Sequence, residues 1–232
     1  MTKTAFVAGA TGYTGRAVVG LLAERDIDVV AHVRPDSSRL EEWKSHFTEI
    51  GARVDTTPWE KAQMRKTLQR EEPDLLFYLI GTTRARDRKS NEDNSYEAID
   101  YGLFKLLLDA CGEAGAEPRV VYLSAIGVRS SARSAYYRVR WRAEEKLRDS
   151  GLAYLIARPA MITGPNRDEI RVLERAGGML ADVASGGLRL IGASRLADRY
   201  RSRTNVELAT ALVEHALEPE SAQVVLEGEE LG

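Results

Sequence analysis

The chain has one cysteine in 232 residues, Cys111, so no internal disulfide can form. On a helix-like stretch, a lone thiol reads as inert packing. Long apolar runs are also missing, and nothing approaches the roughly twenty residues that a membrane span requires. The apolar opening, Thr4 to Ala10, is too short for a signal peptide and runs into glycines. Neither charge is in excess, with 33 basic residues against 35 acidic, which removes a global electrostatic case for nucleic acid. His32, His46 and His215 are widely spaced and no cysteine cluster accompanies them, so no metal site is expected. His32, inside a strand-like run, reads as a packed histidine. These absences predict a cytoplasmic, reduced protein with no membrane and no nucleic-acid partner.

What the chain does have stands at its start. Phe6-Val7-Ala8 is followed by Gly9-Ala10-Thr11-Gly12-Tyr13-Thr14-Gly15 and then by a helix-forming stretch. That order reads strand, tight turn, helix, the phosphate-binding turn of a dinucleotide fold. Gly9 allows a sharp exit from the strand. Gly12 has no side chain to hold a pyrophosphate away from the backbone. Gly15 permits close packing of helix on strand, and the helix N-terminus faces the phosphates.

Apolar strand candidates (4–8, 28–33, 53–56, 74–80, 119–124 and 153–158) alternate with amphipathic helix candidates (14–24, 38–47, 59–70, 91–114 and 134–150). Regular alternation predicts an α/β fold, a doubly wound parallel sheet of Rossmann type with helices on both faces. All 232 residues are expected to form one dinucleotide-binding domain. Residues 159–232, including a helix at 205–217 and a glycine-rich stretch, would add a small C-terminal lobe over the cleft. Ligands in such sheets bind at the carboxyl ends of strands. The residues there are Gly9 to Gly15, Arg34, Gly81-Thr82-Thr83-Arg84, Ser124 to Gly127, and Pro159 to Pro165.

About twenty residues past the glycine turn, a NAD-preferring site carries an acid for the ribose hydroxyls. Here the position is Arg34, whose guanidinium suits the 2′-phosphate, so NADP(H) is expected over NAD(H). The competing reading leaves Arg34 in solvent and gives the ribose to Asp36.

Candidate chemistry follows the fifth strand. Ser124 could polarise a substrate oxygen. Tyr136 could give a proton to a carbonyl receiving hydride. Arg140 lies four residues on, on the same helix face, and a fixed cation there should lower the tyrosine pKa. The alternative frame, Tyr137 with Trp141, offers no cation. From spacing alone, Tyr136 and Arg140 read equally well as a helix-surface pair.

With these residues in hand, the chain resembles atypical short-chain dehydrogenase/reductases over nearly its full length. The resemblance rests on Gly9/Gly12/Gly15, Arg34, Asp100-Tyr101, Leu123-Ser124 and Arg158-Pro159. Gly81-Thr82-Thr83-Arg84 looks like the branch related to the Tat-interacting oxidoreductase, with NmrA-like proteins as neighbours. The resemblance implies a Rossmann-type fold, NADP(H) binding around Gly9, Thr11, Gly12, Tyr13, Thr14, Gly15, Arg34, Gly81, Thr82, Thr83, Arg84 and Pro159, and a Ser-Tyr-Lys catalytic set. Ser124 and Tyr136 match that set, whereas Arg140 stands in the lysine position. Arginine keeps the charge but cannot relay a proton. Gly164-Pro165 could cover the nicotinamide or serve as a plain turn.

The expected function is therefore an NADP(H)-dependent oxidoreductase acting on a small carbonyl or alcohol. One alternative is a cofactor-binding regulator or redox sensor with little turnover. A sugar-nucleotide epimerase or dehydratase also fits the fold, though the short C-terminal region weakens it. A helix-to-helix homodimer follows only by family analogy. Two basic stretches, Arg84 to Lys89 and Arg195 to Arg203, read as solvated surface, with recognition of a phosphate or an anionic substrate by the first and of a carboxylate by the second as the alternatives.

Overall fold

The computed structural model of the chain describes residues 2–81, 96–163, 202–218 and 223–231. Its first half runs β1 (Thr4–Ala8), α1 (Tyr13–Ala23), β2 (Asp28–His32), α2 (Leu40–Glu49), β3 (Arg53–Asp55), α3 (Lys61–Glu71) and β4 (Leu75–Tyr78). A π-helical turn, Glu97–Gly102, then leads into α4 (Leu103–Ala114). After it come β5 (Arg119–Leu123), α5 (Ala135–Arg148), β6 (Tyr154–Ala157), β7 (Met161–Thr163), β8 (Ser202–Thr204), α6 (Asn205–Leu217), β9 (Gln223–Leu226) and a 3₁₀ turn, Gly228–Leu231.

Seven strands form one sheet in the order β3-β2-β1-β4-β5-β6-β9. Every pairing in it is parallel. This is the strand order of a Rossmann sheet, which reverses direction between β1 and β4. The two-residue period of a strand sends alternate side chains to opposite faces. Ala5, Val7, Leu75, Phe77, Val121 and Leu155 join α1 and α6 in one core layer. Phe6, Ala8, Leu76, Tyr78, Val120, Tyr122 and Ile156 join α3, α4 and α5 in the other. Burial on both faces is why these strands read as almost unbroken apolar runs.

Two expectations are corrected here. Helix 205–217 does not sit in a lobe over the cleft. Its Leu208, Leu212, Val213 and Ala216 face the same core layer as Val18 and Leu22 of α1, and β9 extends the main sheet beside β6. The apolar stripe of α6 is buried against an existing helix rather than against a separate unit. Its start is fixed by a capping box: the Glu207 amide donates to the Thr204 hydroxyl at 3.1 Å, and the Thr204 amide donates to the Glu207 carboxylate at 2.8 Å. Arg203, expected on the surface, is buried and donates to the Gly228 carbonyl. The stretches 82–95 and 164–201, with Thr82, Thr83, Arg84, Gly164, Pro165, Arg195, Arg199 and Arg201, lie outside the described residues.

Candidate functional site

The glycine turn crosses the carboxyl ends of β1 and β4. Gly9 has φ +90°, and a methyl group on it would lie 2.9 Å from the Leu79 carbonyl carbon. At Gly15 a methyl group would lie 2.1 Å from the Gly9 carbonyl oxygen, so α1 touches the strand backbone there. Both positions exclude any other residue on the protein's own account. Gly12 differs. It is exposed, and its hypothetical methyl group would meet only the Gly9 oxygen, at 3.1 Å. The protein presses on Gly12 less than on Gly9 or Gly15, and its exposed position leaves its backbone open to a ligand. The first turn of α1 has no acidic residue to repel an anion. Thr14 is buried beneath it, while Thr11 and Tyr13 are partly exposed on its rim. The Asn205 side-chain amide donates to the Tyr13 carbonyl at 3.3 Å, tying the start of α6 to this turn.

At the end of β2, Arg34 projects into solvent with its side chain 61 % exposed, 3.3 Å from Asp36. Two residues earlier, His32 is buried, with Nε2 2.8 Å from the Thr57 carbonyl and its ring edge-on to Trp59. Burial lowers its pKa.

The third part of the site gathers around Arg140. Its Nη1 donates to the Leu123 carbonyl at 2.6 Å, at the end of β5. Its Nη2 donates to Asp100 at 2.8 Å, within the π-helical turn. The guanidinium carbon stands 4.7 Å from the Tyr136 ring centroid. Beside it, a methyl group on Gly81 would lie 2.8 Å from Nη2, so the end of β4 closes on the same cation. Tyr136 and Arg140 are therefore part of the site's interior, not a helix-surface pair. The alternative frame is not assembled. Tyr137 packs edge-on against Tyr136, and the Trp141 ring lies under Arg148.

The pKa expectation for Tyr136 is reversed. Burial raises it above the ordinary tyrosine value, and this outweighs the lowering by Arg140. Arg140 divides its charge between Asp100 and the ring, so it stabilises a phenolate less than a lone cation would. At neutral pH the Tyr136 hydroxyl is protonated and can donate.

Ser124 is buried at the end of β5, where its hydroxyl donates to Glu144 at 2.6 Å. Pro159, after β6, accepts from the Ile126 amide at 3.0 Å and fastens the two strand ends together. The contributions of Asp100 and Glu144 were not read from the sequence as side-chain contacts. A signal was available: Tyr136, Arg140, Glu144 and Arg148 recur every four residues and form one stripe along α5.

A glycine turn at the switch point, with polar groups gathered at the ends of β4, β5 and β6, is the arrangement of a dinucleotide site. Residues 9–188 match a family profile described as NAD(P)H-binding. The chain belongs to that family. A curated relative, protein fmp52-1, mitochondrial, of Aspergillus terreus, is 32% identical over 113 residues, which is 48% of this chain and 47% of that protein. The match thus spans about half the length of the relative. Among solved structures, the UDP-glucose 4-epimerase of Brucella ovis in complex with NAD is similar at TM-score 0.68 and 18% identity, covering 97% of this chain and 78% of that one. The anaerobillin reductase ChuY of Escherichia coli O157:H7 is similar at TM-score 0.64 and 17% identity, covering 96% and 95%. At these identities the shared property is the fold. In this family member, no helix among the described residues is long and apolar enough to cross a membrane.

Proposed function

We propose that the chain is an NADP(H)-dependent reductase of a small carbonyl compound. The observation that carries this reading is the Tyr136 hydroxyl, half-buried and backed by Arg140, at the same sheet edge as a glycine turn whose Gly12 is exposed. In this reading Gly9, Gly12 and Gly15 with Thr11, Tyr13 and Thr14 hold the pyrophosphate, and Arg34 receives the 2′-phosphate. Gly81 and Pro159 flank the nicotinamide end. When bound there, NADPH would supply the hydride for the carbonyl carbon and be oxidised to NADP⁺. Tyr136 gives its proton to the carbonyl oxygen, and water restores that proton. Arg140 fixes the ring and offsets the charge that develops on the phenolate; it is not a proton relay. The Tat-interacting-oxidoreductase-like branch and a cytoplasmic location belong to this same reading.

A second reading, a cofactor-binding regulator with little turnover, has one observation in its favour. Both terminal nitrogens of Arg140 are engaged, by Leu123 and Asp100, which leaves no mobile ammonium of the kind a lysine would provide. The epimerase alternative is supported only by the shared fold of the sugar-nucleotide epimerases.

The experiment is to follow NADPH fluorescence on mixing with protein, then with a panel of small aldehydes, ketones and quinones. Binding followed by decay supports the reductase. Binding without decay across the panel, together with a gain of turnover in Arg140→Lys, favours the regulator.

A further inference from the structure

Glu144 lies on α5 with no exposed surface, and four hydrogen bonds converge on its two oxygens. Oε1 accepts from the Ser124 hydroxyl at 2.6 Å and from Arg158 Nε at 2.9 Å. Oε2 accepts from Arg158 Nη2 at 2.5 Å and from Arg148 Nη2 at 2.9 Å. Arg158 is held in turn by Glu227, 2.9 Å away at the end of β9. Flanked by two guanidiniums, Glu144 is a carboxylate, and a carboxylate only accepts.

That settles the polarity of Ser124. A serine hydroxyl has one hydrogen, and here it points at Glu144. What Ser124 can offer any other group is a lone pair. Ser124 follows directly after Leu123, whose carbonyl receives Arg140, and Arg140 lies over the Tyr136 ring. In the corner of the site around Arg140, the Tyr136 hydroxyl is thus a donor and the Ser124 oxygen an acceptor. A plain ketone satisfies only the donor. A carbonyl compound with a neighbouring hydroxyl or N–H satisfies both.

We propose that Ser124 acts as a hydrogen-bond acceptor toward the substrate, that Glu144 is the positioning residue that sets this polarity, and that the preferred substrate carries an O–H or N–H donor beside its reducible carbonyl. This rests on the reductase reading above. Burying an acceptor against an apolar group costs more than losing an ordinary contact, so discrimination should be marked.

The test uses ketone pairs that differ by O–H for CH₃: hydroxyacetone against butanone, and 2-hydroxycyclohexanone against 2-methylcyclohexanone, at saturating NADPH. In each pair that is reduced, the hydroxy member should have kcat/KM higher by about tenfold or more. Ser124→Ala should bring the ratio to within about threefold. Glu144→Gln places an amide that can donate to Ser124 and release its hydrogen, and should move the preference toward the plain ketone. That shift in preference is one a merely structural role would not produce, and if Glu144→Gln fails to fold, Ser124→Ala alone decides. Equal reduction of both members, or a wild-type preference for the plain ketone, overturns the assignment alone. Failure to bind NADPH, or binding without reduction of any member, overturns the reductase reading and this assignment with it.

Discussion

Arg140 donates to Asp100 across 2.8 Å, and both side chains are almost wholly buried. The pair joins helix α5 to the π-helical turn that opens α4. The same turn accepts the Tyr78 hydroxyl at the Ile99 carbonyl, 3.0 Å away, and places Tyr96 edge-on to Tyr136. A π-helical turn breaks the regular i→i−4 ladder and is found mostly where a side chain must be aimed. Here it aims Asp100 at the cation behind Tyr136.

A buried ion pair adds little net stability, but removing one member strands the other. Asp100→Ala should therefore cost about 3–5 kcal/mol in urea unfolding. The double variant Asp100→Leu/Arg140→Met should recover most of that loss while remaining inactive. A single variant of wild-type stability would show that Arg140 finds its charge balance elsewhere.

The glycines of α1 separate packing from ligand room. At Gly15 a Cβ would strike the Gly9 carbonyl oxygen, so Gly15→Ala should destabilise strongly or prevent folding. At Gly20, in the same helix, a Cβ would meet nothing within 4 Å, and Gly20→Ala should stabilise by about 0.5–1 kcal/mol. Gly12→Ala, whose Cβ would lie 3.1 Å from the Gly9 oxygen, should cost clearly less stability than Gly15→Ala and weaken NADPH binding by about tenfold or more, since its methyl group would occupy the ligand's approach. Thermal melts with and without NADPH check all three.

His32 links stability to pH. Burial holds its folded pKa below the unfolded value of 6.5, so the folded state refuses a proton that the unfolded chain accepts. Its contribution is complete above pH 6.5 and is lost as pH falls from there toward the folded pKa. The sign of the slope is fixed by the lowered pKa: stability falls as pH drops below 6.5. His32→Gln, which can still donate to the Thr57 carbonyl, should reduce this slope below pH 6.5. Denaturation midpoints across that range measure it.

Much of this architecture was legible in the sequence. The strands at 4–8, 28–32, 75–78, 119–123 and 154–157 were each marked by an apolar run, the short edge strand 53–55 only by its place in the alternation, and the helices between them by amphipathic spacing. The parallel doubly wound sheet followed from the alternation alone. What was not legible depends on partners distant in sequence. The assignment of α6 to the main layer is decided by α1, some 190 residues away. β9, Gln223–Leu226, is short and only partly buried, with no strong pattern of its own. The π-helical turn is invisible because Glu97–Gly102 has ordinary helix-forming residues. The direction of the Tyr136 pKa shift was misread because spacing shows the cation and not the burial around it.

In the proposed reading, Arg34 carries the cofactor preference. Its guanidinium is exposed and, among the described residues, pairs with a likewise exposed Asp36, an ion pair weak enough for a phosphate to displace. Arg34→Ala should weaken NADPH binding by about tenfold and leave NADH binding nearly unchanged, in line with the loss of one charge-assisted contact. Titrating both cofactors against the variant by fluorescence tests the preference without any substrate. An unchanged NADPH-to-NADH ratio would assign the ribose to Asp36 instead.

The most direct measurement is the rate of NADPH oxidation by wild type and Tyr136→Phe with the best carbonyl substrate of the panel, at saturating cofactor. Phenylalanine keeps the ring against Arg140 and Tyr96 and removes only the hydroxyl. If Tyr136 is the proton donor, kcat falls by about a hundredfold or more while NADPH binding is retained. A loss of only a few-fold would contradict the proposed chemistry.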